Sequence, residues 1–559
     1  MKYIMRFTFL AALAMVLTAC SDDSQVAEET AGKAEAGEAE TGGDLVISTG
    51  NDIVSLDPHA SNELYSDQVR NTIYEGLVTQ DENFEIEPLL AEEWEQVDDL
   101  TWRFKLRDDV TFHEGSEFNA AAVKANLDRL TDPAVASPRL SLFEMISEVN
   151  VIDEYTVEII TEYPFAPLLS HLSHDGGGMI SKEVIDEDYR QAIENSGAGY
   201  SVEEYYSLRE DGGEAFEEAV DKISGELGAV VDQNPAGTNY AKFESRMPGE
   251  NIVLSRNEDY WQGPMHLDSI TFKIVAETGA RMAELETGTS HIIFGYDSSN
   301  VDRIENNPAM EAYNNSNVAI NFIGFNTQKA PLDDVRVRQA ISHVVDRDEI
   351  IEGIFNGMGE VPDGPLIKGI PGHTEELKKF EYDLEEAERL MEEAGHEDGF
   401  ELNIITNDAP ERVDTAVYLQ EALAELNITA TVEQIEWGTY LEEASSGEHD
   451  IFLLGWPNFT GDPDQALWPL FHSSMHGTQG NRTFYDNPEV DALLEAGREE
   501  KDPEARAEIY EEAQKMIVED APAIYFNESI SMNAYRTEVE GLYIDDFIKP
   551  DFRNVRLTE

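Results

Sequence analysis

Between Phe400 and Gly455 the chain alternates two hydrophobic periods, and that alternation restricts the fold more than any other stretch. Phe400 to Ile405 reads as a strand. Pro410 to Leu426 reads as a helix, with Val413, Ala416, Leu419, Leu423 and Leu426 on one face. Ile428 to Gln434 is a second strand, Thr439 to Ala444 a short helix and Asp450 to Gly455 a third strand. A βαβαβ run of this kind builds a parallel sheet with right-handed crossovers. Ligands of such sheets sit beyond the carboxyl ends of the strands. The segments after Ile405 and after Leu454 therefore fall at one crevice.

The rest of the chain supplies further α and β elements. Asp44 to Ser48 reads as a strand running to a turn at Gly50, and Tyr65 to Leu77 as a helix. Leu100 to Leu106 alternates as a half-buried strand, Ala120 to Leu130 is helical, and Tyr155 to Ile160 is a strand. Residues 186–233 are rich in Glu, Gly and Ser and read as an acidic excursion of helix and loop on the surface. Strand character resumes at Ile252 to Leu254 and Ser269 to Val275. Asp333 to Phe355 reads as one helix, and Asp383-Leu-Glu-Glu386 as the capped start of another that stops at Gly395. The folded body of roughly 515 residues has room for two or three domains.

Lys2 and Arg6 precede an apolar run from Phe7 to Val16, then Leu17-Thr18-Ala19-Cys20. This is the pattern of a secretory signal, too short for a span of about 20 residues. The junction resembles the lipobox of bacterial lipoproteins. That resemblance implies a signal peptide over 1–19 and acylation of Cys20, the chain's one cysteine. Residues 20–43 then read as the lipidated cysteine and a disordered acidic linker. The expected location is the outer face of the cytoplasmic membrane, at the cell surface or in a periplasm, held by lipid.

Acidic residues number 115 against 38 basic ones, a formal net charge of −77. Nucleic acid is excluded as a partner, because phosphate binding needs a basic face. There is no D-x-D-x-D-G loop pattern for a metal store. The reading that remains is a surface adapted to high salt.

Six segments then share an order. They are Ser55-Leu-Asp-Pro58; Leu89 to Trp94 with Trp102 to Arg107 and Val110 to Ala120; Asn234 to Thr238 with Arg256 to Trp261; Gly324-Phe-Asn-Thr327 with Val335 to Ile341; Gly455-Trp456 with Gly461 to Asp464; and Tyr485 with Asn487 to Asp491. Together they resemble the extracellular solute-binding proteins of family 5, the peptide and nickel binders of ABC importers. The resemblance implies an α/β, two-lobed, periplasmic-binding-protein-like fold of type II, in the large peptide-binder class. Lobe I spans 44–315 with 525–559 and carries an inserted subdomain at about 80–225; lobe II spans 316–524. Hinges fall near 312–320 and 520–530. The implied molecule is a monomeric receptor that closes on a short peptide, dipeptide, oligopeptide or glutathione-like, and hands it to permease subunits in the membrane. It implies no enzyme, no cofactor and no bound metal.

Residues are carried over one by one. Arg412 occupies the segment where dipeptide binders place an arginine on the ligand's carboxylate, a task that suits a guanidinium. Amine binders place an aspartate three residues after the tryptophan; here that position is Phe459, after Trp456. Trp456 is expected against the ligand, Phe459 offers a cation–π face, and Asp462 or Asp464 is the substitute anion. Thr49, Gly50 and Asp52 follow the first strand and are expected to face the crevice, where backbone can pair with an extended peptide. Arg139 and His174 are further candidates in the inserted subdomain. Asn239-Tyr240-Ala241 departs from the family's Gly-Pro-Phe.

The rival from the same fold is a nickel or metallophore receptor, for which His472 and His476 are four residues apart. A secreted hydrolase is the remote alternative. The chain has no G-x-S-x-G, Walker loop, H-E-x-x-H or catalytic cysteine.

Overall fold

The computed structural model describes residues 42–558. The signal segment 1–19, Cys20 and the linker as far as Thr41 lie outside the described residues. None of the described helices is long and apolar enough to cross a membrane.

In chain order, β1 is Asp44–Thr49. A four-stranded antiparallel sheet follows: β2 (Ala91–Gln96), β3 (Thr101–Leu106), β4 (Ile146–Asp153) and β5 (Thr156–Thr161). Next come helices α1 (Lys182–Ser196), α2 (Val202–Asp211) and α3 (Glu214–Ile223), then strands β6 (Ala241–Met247), β7 (Asn251–Arg256) and β8 (Ser269–Ile274). Helix α4 (Thr278–Thr287), strand β9 (Ile292–Phe294) and the long strand β10 (Met310–Phe325) complete the first half. The second half contributes β11 (Glu401–Thr406), α5 (Pro410–Ala424), β12 (Thr429–Gln434), α6 (Trp437–Ser446), β13 (Ile451–Pro457) and the long β14 (Ala523–Arg536).

Ten of these strands form one sheet in the order β12-β11-β13-β10-β14-β9-β1-β8-β7-β6. The long pair β10 and β14 runs through both lobes. Met310 to Ser316 pair with Arg536 to Ile530, the ladder breaks, and pairing resumes from Ile320↔Glu528 to Gly324↔Ala523. In the gap, the Val318 N–H donates to the Asp546 carbonyl and the Val318 carbonyl accepts from Asn458. The crossover is thus tied to the C-terminal tail on one side and to lobe II on the other.

Each lobe packs apolar residues on both sheet faces. In lobe I, Leu45, Ile47, Ile270 and Phe272 join helices α1–α3 and the tail residues Ile544, Ile548 and Phe552, while Met282, Leu285, Ile293 and Ala534 fill the other face. In lobe II, Ile320, Phe322 and Leu454 face one core and Ile323, Phe325, Ile404 and Leu453 the other. The four-stranded sheet has a separate core of Phe104, Leu106, Val157 and Ile159 against Val123, Leu127 and Leu130. This is the inserted subdomain of the two-lobed type II fold.

Three sequence expectations change. Residues 186–233 are not a surface excursion: Tyr189, Ile193, Tyr205, Ala219, Ile223 and Val231 lie in the lobe I core. Tyrosines supply that apolar face with a polar handle, since the Tyr189 and Tyr205 hydroxyls both donate to Asp132. The helix expected over Asp333 to Phe355 is two helices, Val335–His343 and Arg347–Gly353, because Asp346 caps the second. The helix expected over Tyr65 to Leu77 stops at Arg70.

Candidate functional site

Strand direction places the site. β1 and β9 are parallel, β14 is antiparallel to β9, and β10 is antiparallel to β14. The carboxyl ends of β1 and β9 therefore point along β10 toward lobe II. In lobe II, β11 and β12 run parallel to β13, which is antiparallel to β10. Their carboxyl ends point back toward lobe I. The two sets of strand ends meet across the crossover, with Thr49–Asp52 and Gly295–Asp297 on one lip. Asn407–Arg412, Ile435–Trp437 and Gly455–Phe459 form the other.

Arg412 stands on the lobe II lip, in the first turn of α5 after Pro410 at its start. Its Nη1 donates to Asn407 Oδ1 at 3.2 Å, and its guanidinium lies 5.7 Å from the Trp437 ring. A Cβ on Gly455 would lie 3.3 Å from Nη2, so a glycine there leaves room for the guanidinium. No carboxylate among the described residues forms an ion pair with Arg412, and burial lowers its pKa. Trp437, 42 % exposed, is a lip residue that sequence reasoning missed. Its signal was available: it follows the end of a parallel strand, as Arg412 does.

Beside it, β13 offers backbone. β11 pairs with β13 only at Ile404↔Ile451 and Ile405↔Phe452. Past Phe452 the β13 edge on that side continues without a strand partner, a place where an extended chain can add.

The structure places other expected residues elsewhere. The Trp456 indole N–H donates to the Gln465 carbonyl at 2.9 Å, and its ring packs with Ile320, Phe322, Leu470 and Tyr525 on the lobe II core. Phe459 is half-buried against the same core. Asp462 accepts both Arg506 nitrogens at 2.8 and 2.7 Å; burial pushes its carboxyl up, but Arg506 outweighs this and holds it below the usual range. Asp464 holds Arg498 in the same way at 2.7 and 3.0 Å. The Gly461-Asp-Pro-Asp464 turn therefore anchors two arginines and does not offer Asp462 as a free anion. The Trp456 N–H is thus engaged within lobe II, and Asp462, held by Arg506, also accepts from Ser170 of lobe I at 3.3 Å.

On lobe I, Asp52 accepts from the Gly249 N–H at 2.7 Å and lies 3.6 Å from Arg246, which stitches it to the β6–β7 hairpin. Thr49 is buried. A Cβ on Gly50 would lie 3.1 Å from Arg281 Nη1. Arg281, which the sequence did not single out, donates to the Val275, Ala276 and Gly295 carbonyls and braces this lip.

Arg139 is buried in a bidentate pair with Asp67 at 2.8 and 2.7 Å, with a further bond to the Ser61 carbonyl. These bonds occupy its Nη2 and Nε, and Nη1 lies 3.4 Å from His174 Nε2. His174 accepts from the Gly176 N–H at 3.0 Å; burial, then the nearby Arg139, push its pKa well down. It lines a cavity of about 550 Å³ walled by Tyr74, Glu75, Asp175, Asp545 and Lys549, among others. Lys549 pairs with Asp175 at 2.6 Å. Burial pushes Asp545 up to about 7 against the pull of Lys549. None of Arg412, Trp456, Phe459 or Asp462 lines this cavity.

Asn239 and Tyr240 acquire a role. The Asn239 amide donates to the Asn71 and Tyr74 carbonyls, and the Tyr240 hydroxyl bridges the Pro550 carbonyl and the Phe552 N–H of the tail. His472 stacks on Trp468 with ring centroids 3.8 Å apart, while His476 Nε2 bonds the Tyr485 carbonyl at 2.9 Å. The two rings serve separate local contacts.

The profile of the bacterial extracellular solute-binding proteins, family 5 (middle part), matches residues 85–477. The chain belongs to that family. Among curated relatives, the glutathione-binding protein GsiB of Salmonella typhi is 28% identical over 510 residues, 90% of this chain and 92% of that protein. Among solved structures, HbpA2 from Haemophilus parasuis has a TM-score of 0.79 and 26% identity, covering 92% of this chain and all of that one. The ABC-transporter-associated periplasmic binding protein DppA from Helicobacter pylori, in complex with the peptide STSA, has a TM-score of 0.74 and 27% identity over 93% of this chain and 99% of that one. This family binds solutes outside the cytoplasm.

Proposed function

We propose that this solute-binding protein captures short peptides, glutathione-like or di- to oligopeptide, between its lobes and delivers them to an ABC importer's permease. The observation that carries this is Arg412, a guanidinium with no ion-pair partner among the described residues, beside the open edge of β13. An extended peptide on that edge places its carboxylate within a bidentate grip. The relatives' names support the same ligand class, since GsiB is a glutathione binder and the DppA structure holds a peptide. Phe459 in place of an aspartate leaves the amine end without a partner in that turn, so carboxylate recognition dominates. Hinges near 312–320 and 520–530 suit the ladder break between Ser316 and Ile320. The same reading includes a signal peptide over 1–19, lipid attachment at Cys20, a monomeric state and an acidic surface fitted to high salt.

The test is calorimetric titration with dipeptides, tripeptides and reduced glutathione. Arg412→Gln should weaken carboxylate-bearing ligands by about 10- to 100-fold, the worth of one charge-assisted hydrogen bond. Unchanged affinity overturns the site, and absence of any peptide binding to the wild type overturns the ligand class.

A further inference from the structure

The segment Tyr163 to Leu172 follows β5 and is rooted in the inserted subdomain, where Phe165, Leu168 and Leu172 join the core of the four-stranded sheet. Its polar groups, however, reach across to lobe II. The Ala166 N–H donates to the Arg498 carbonyl at 2.8 Å, and the Ser170 hydroxyl donates to Asp462 at 3.3 Å. At the rim, Asp99, in the turn between β2 and β3, pairs with Lys501 at 2.6 Å. Gly461 makes room beside them: its φ is 62°, and a Cβ there would lie 2.8 Å from the Phe84 ring and 3.1 Å from the Phe547 ring.

The lobe II side of this contact is a built seat. Asp462 is neutralised by Arg506 and Asp464 by Arg498, both pairs lying within lobe II. Buried charges matched in this way hold their places whether or not the segment is present. The Arg498 guanidinium lies 3.6 Å from the centre of the Trp468 ring and 5.5 Å from that of Phe165. His472 stacks on the same indole at 3.8 Å. Two groups that close to one ring centre take opposite faces, so contact runs from Phe165 through Arg498 and Trp468 to His472, inside lobe II. The bonds that cross to the seat are lighter: one backbone hydrogen bond, one hydroxyl donor and one surface ion pair, each of modest net strength. A fixed seat joined by light bonds suits a contact that is made and broken. No residue of the segment lies on either lip of the crevice.

We propose that Tyr163 to Leu172 is a latch of the inserted subdomain, seated on Arg498 and the Asp462–Asp464 turn when the lobes are together and withdrawn with lobe I when they part. A contact made only in the closed form raises that form's population, and with it the affinity of any ligand that needs both lobes. The latch thus tunes binding from outside the ligand site, whatever the ligand is.

The experiment places like charges across the contact in the full chain: Ser170→Asp against Asp462 and Lys501→Glu against Asp99. Ser170 is half-buried and Lys501 exposed, so neither change opens a core. Small-angle scattering of the ligand-free double variant should give a larger radius of gyration than the wild type. Calorimetry with Ala-Ala and with reduced glutathione should show affinity weakened by about 3- to 10-fold, the worth of one or two such charge contacts. Ser170→Ala should act in the same direction and more weakly. Adding Asp99→Lys to Lys501→Glu restores an ion pair with its signs exchanged and should return that part of both changes. Where a probe binds the wild type, both changes are required, and either without the other overturns the latch. So does a lower melting temperature with radius and affinity unchanged, the mark of static packing. If neither probe binds the wild type, the radius decides alone, so failure of the peptide reading leaves this test standing.

Discussion

Asp462 and Asp545, one buried and one half-buried in a cavity wall, are carboxylates with opposite prospects. Asp462 is gripped by Arg506 at two points, so its charge is compensated. Removing one partner of such a pair strands the other and costs about 3–5 kcal/mol. Asp462→Asn should therefore lower the denaturation midpoint by that order while peptide affinity, measured on the remaining folded protein, stays the same. A variant that melts like the wild type but loses its ligand would return Asp462 to the binding site. Asp545 is pushed by burial from 3.8 to about 7. The folded chain holds a proton there that the unfolded chain releases, so this stability is fully present below the unfolded value. It is lost as pH rises through about 7. Asp545→Asn should gain in melting temperature over the wild type progressively from pH 5 to pH 8; a constant gap across that range contradicts the assignment. The sequence could single out Arg412, because it follows a strand end and opens a helix. It could not reveal the Asp462–Arg506 pair, whose members are 44 residues apart with no periodic pattern joining them.

The crossover pair β10 and β14 behaves as an element with its own titration. Glu528 sits at the resumption of the ladder, its N–H bonded to the Glu360 carbonyl at 2.8 Å. Burial, then Glu360 and Asp363, push its carboxyl up to about 7, with Lys368 opposing. The arrangement seen here is favoured while Glu528 is protonated and weakens as pH rises through 7. Small-angle scattering of the ligand-free protein between pH 6 and pH 8 should show a larger radius at the higher pH, and Glu528→Gln should abolish the difference. A pH-independent radius in the wild type would count against it. Elements with clean periods were legible from the residues alone: β1, the helix Ala120–Leu130 and the helix Leu384–Ala394, which ends at Gly395 with φ 78°. The segment 186–233 was not, because its core face is built from tyrosines and short helices amid glutamates. Its hydropathy resembles solvent-facing chain although its packing does not. The division of Asp333 to Phe355 turned on a side-chain cap at Asp346 that periodicity does not register.

At the scale of the whole molecule, the lobes meet through apolar packing as well as bonds: Phe84 and Phe547 of lobe I are buried in the lobe II apolar cluster, and the Asn356 amide donates to Ser298 Oγ at 2.7 Å. The Ala166 N–H donates to the Arg498 carbonyl at 2.8 Å, Ser170 to Asp462 at 3.3 Å, and Lys501 pairs with Asp99 at 2.6 Å on the surface. An exposed pair like the last contributes about 0–1 kcal/mol. Against those contacts stands a net charge of −77. Even with every cation paired to one carboxylate, 77 carboxylates keep no partner, the difference between 115 and 38. Their mutual repulsion acts over about 10 Å at 0.1 M salt and about 3 Å at 1 M. Buried pairs such as Arg129 with Asp57 lie beyond the reach of that screening, so the core does not change. What changes is the surface, where screening removes a penalty that the unfolded, expanded chain carries to a lesser degree. The melting temperature should therefore climb from 0.1 M to 1 M salt, by the same amount in NaCl and KCl. A melting temperature that stays flat over that range would mean that the fold tolerates its charge without salt.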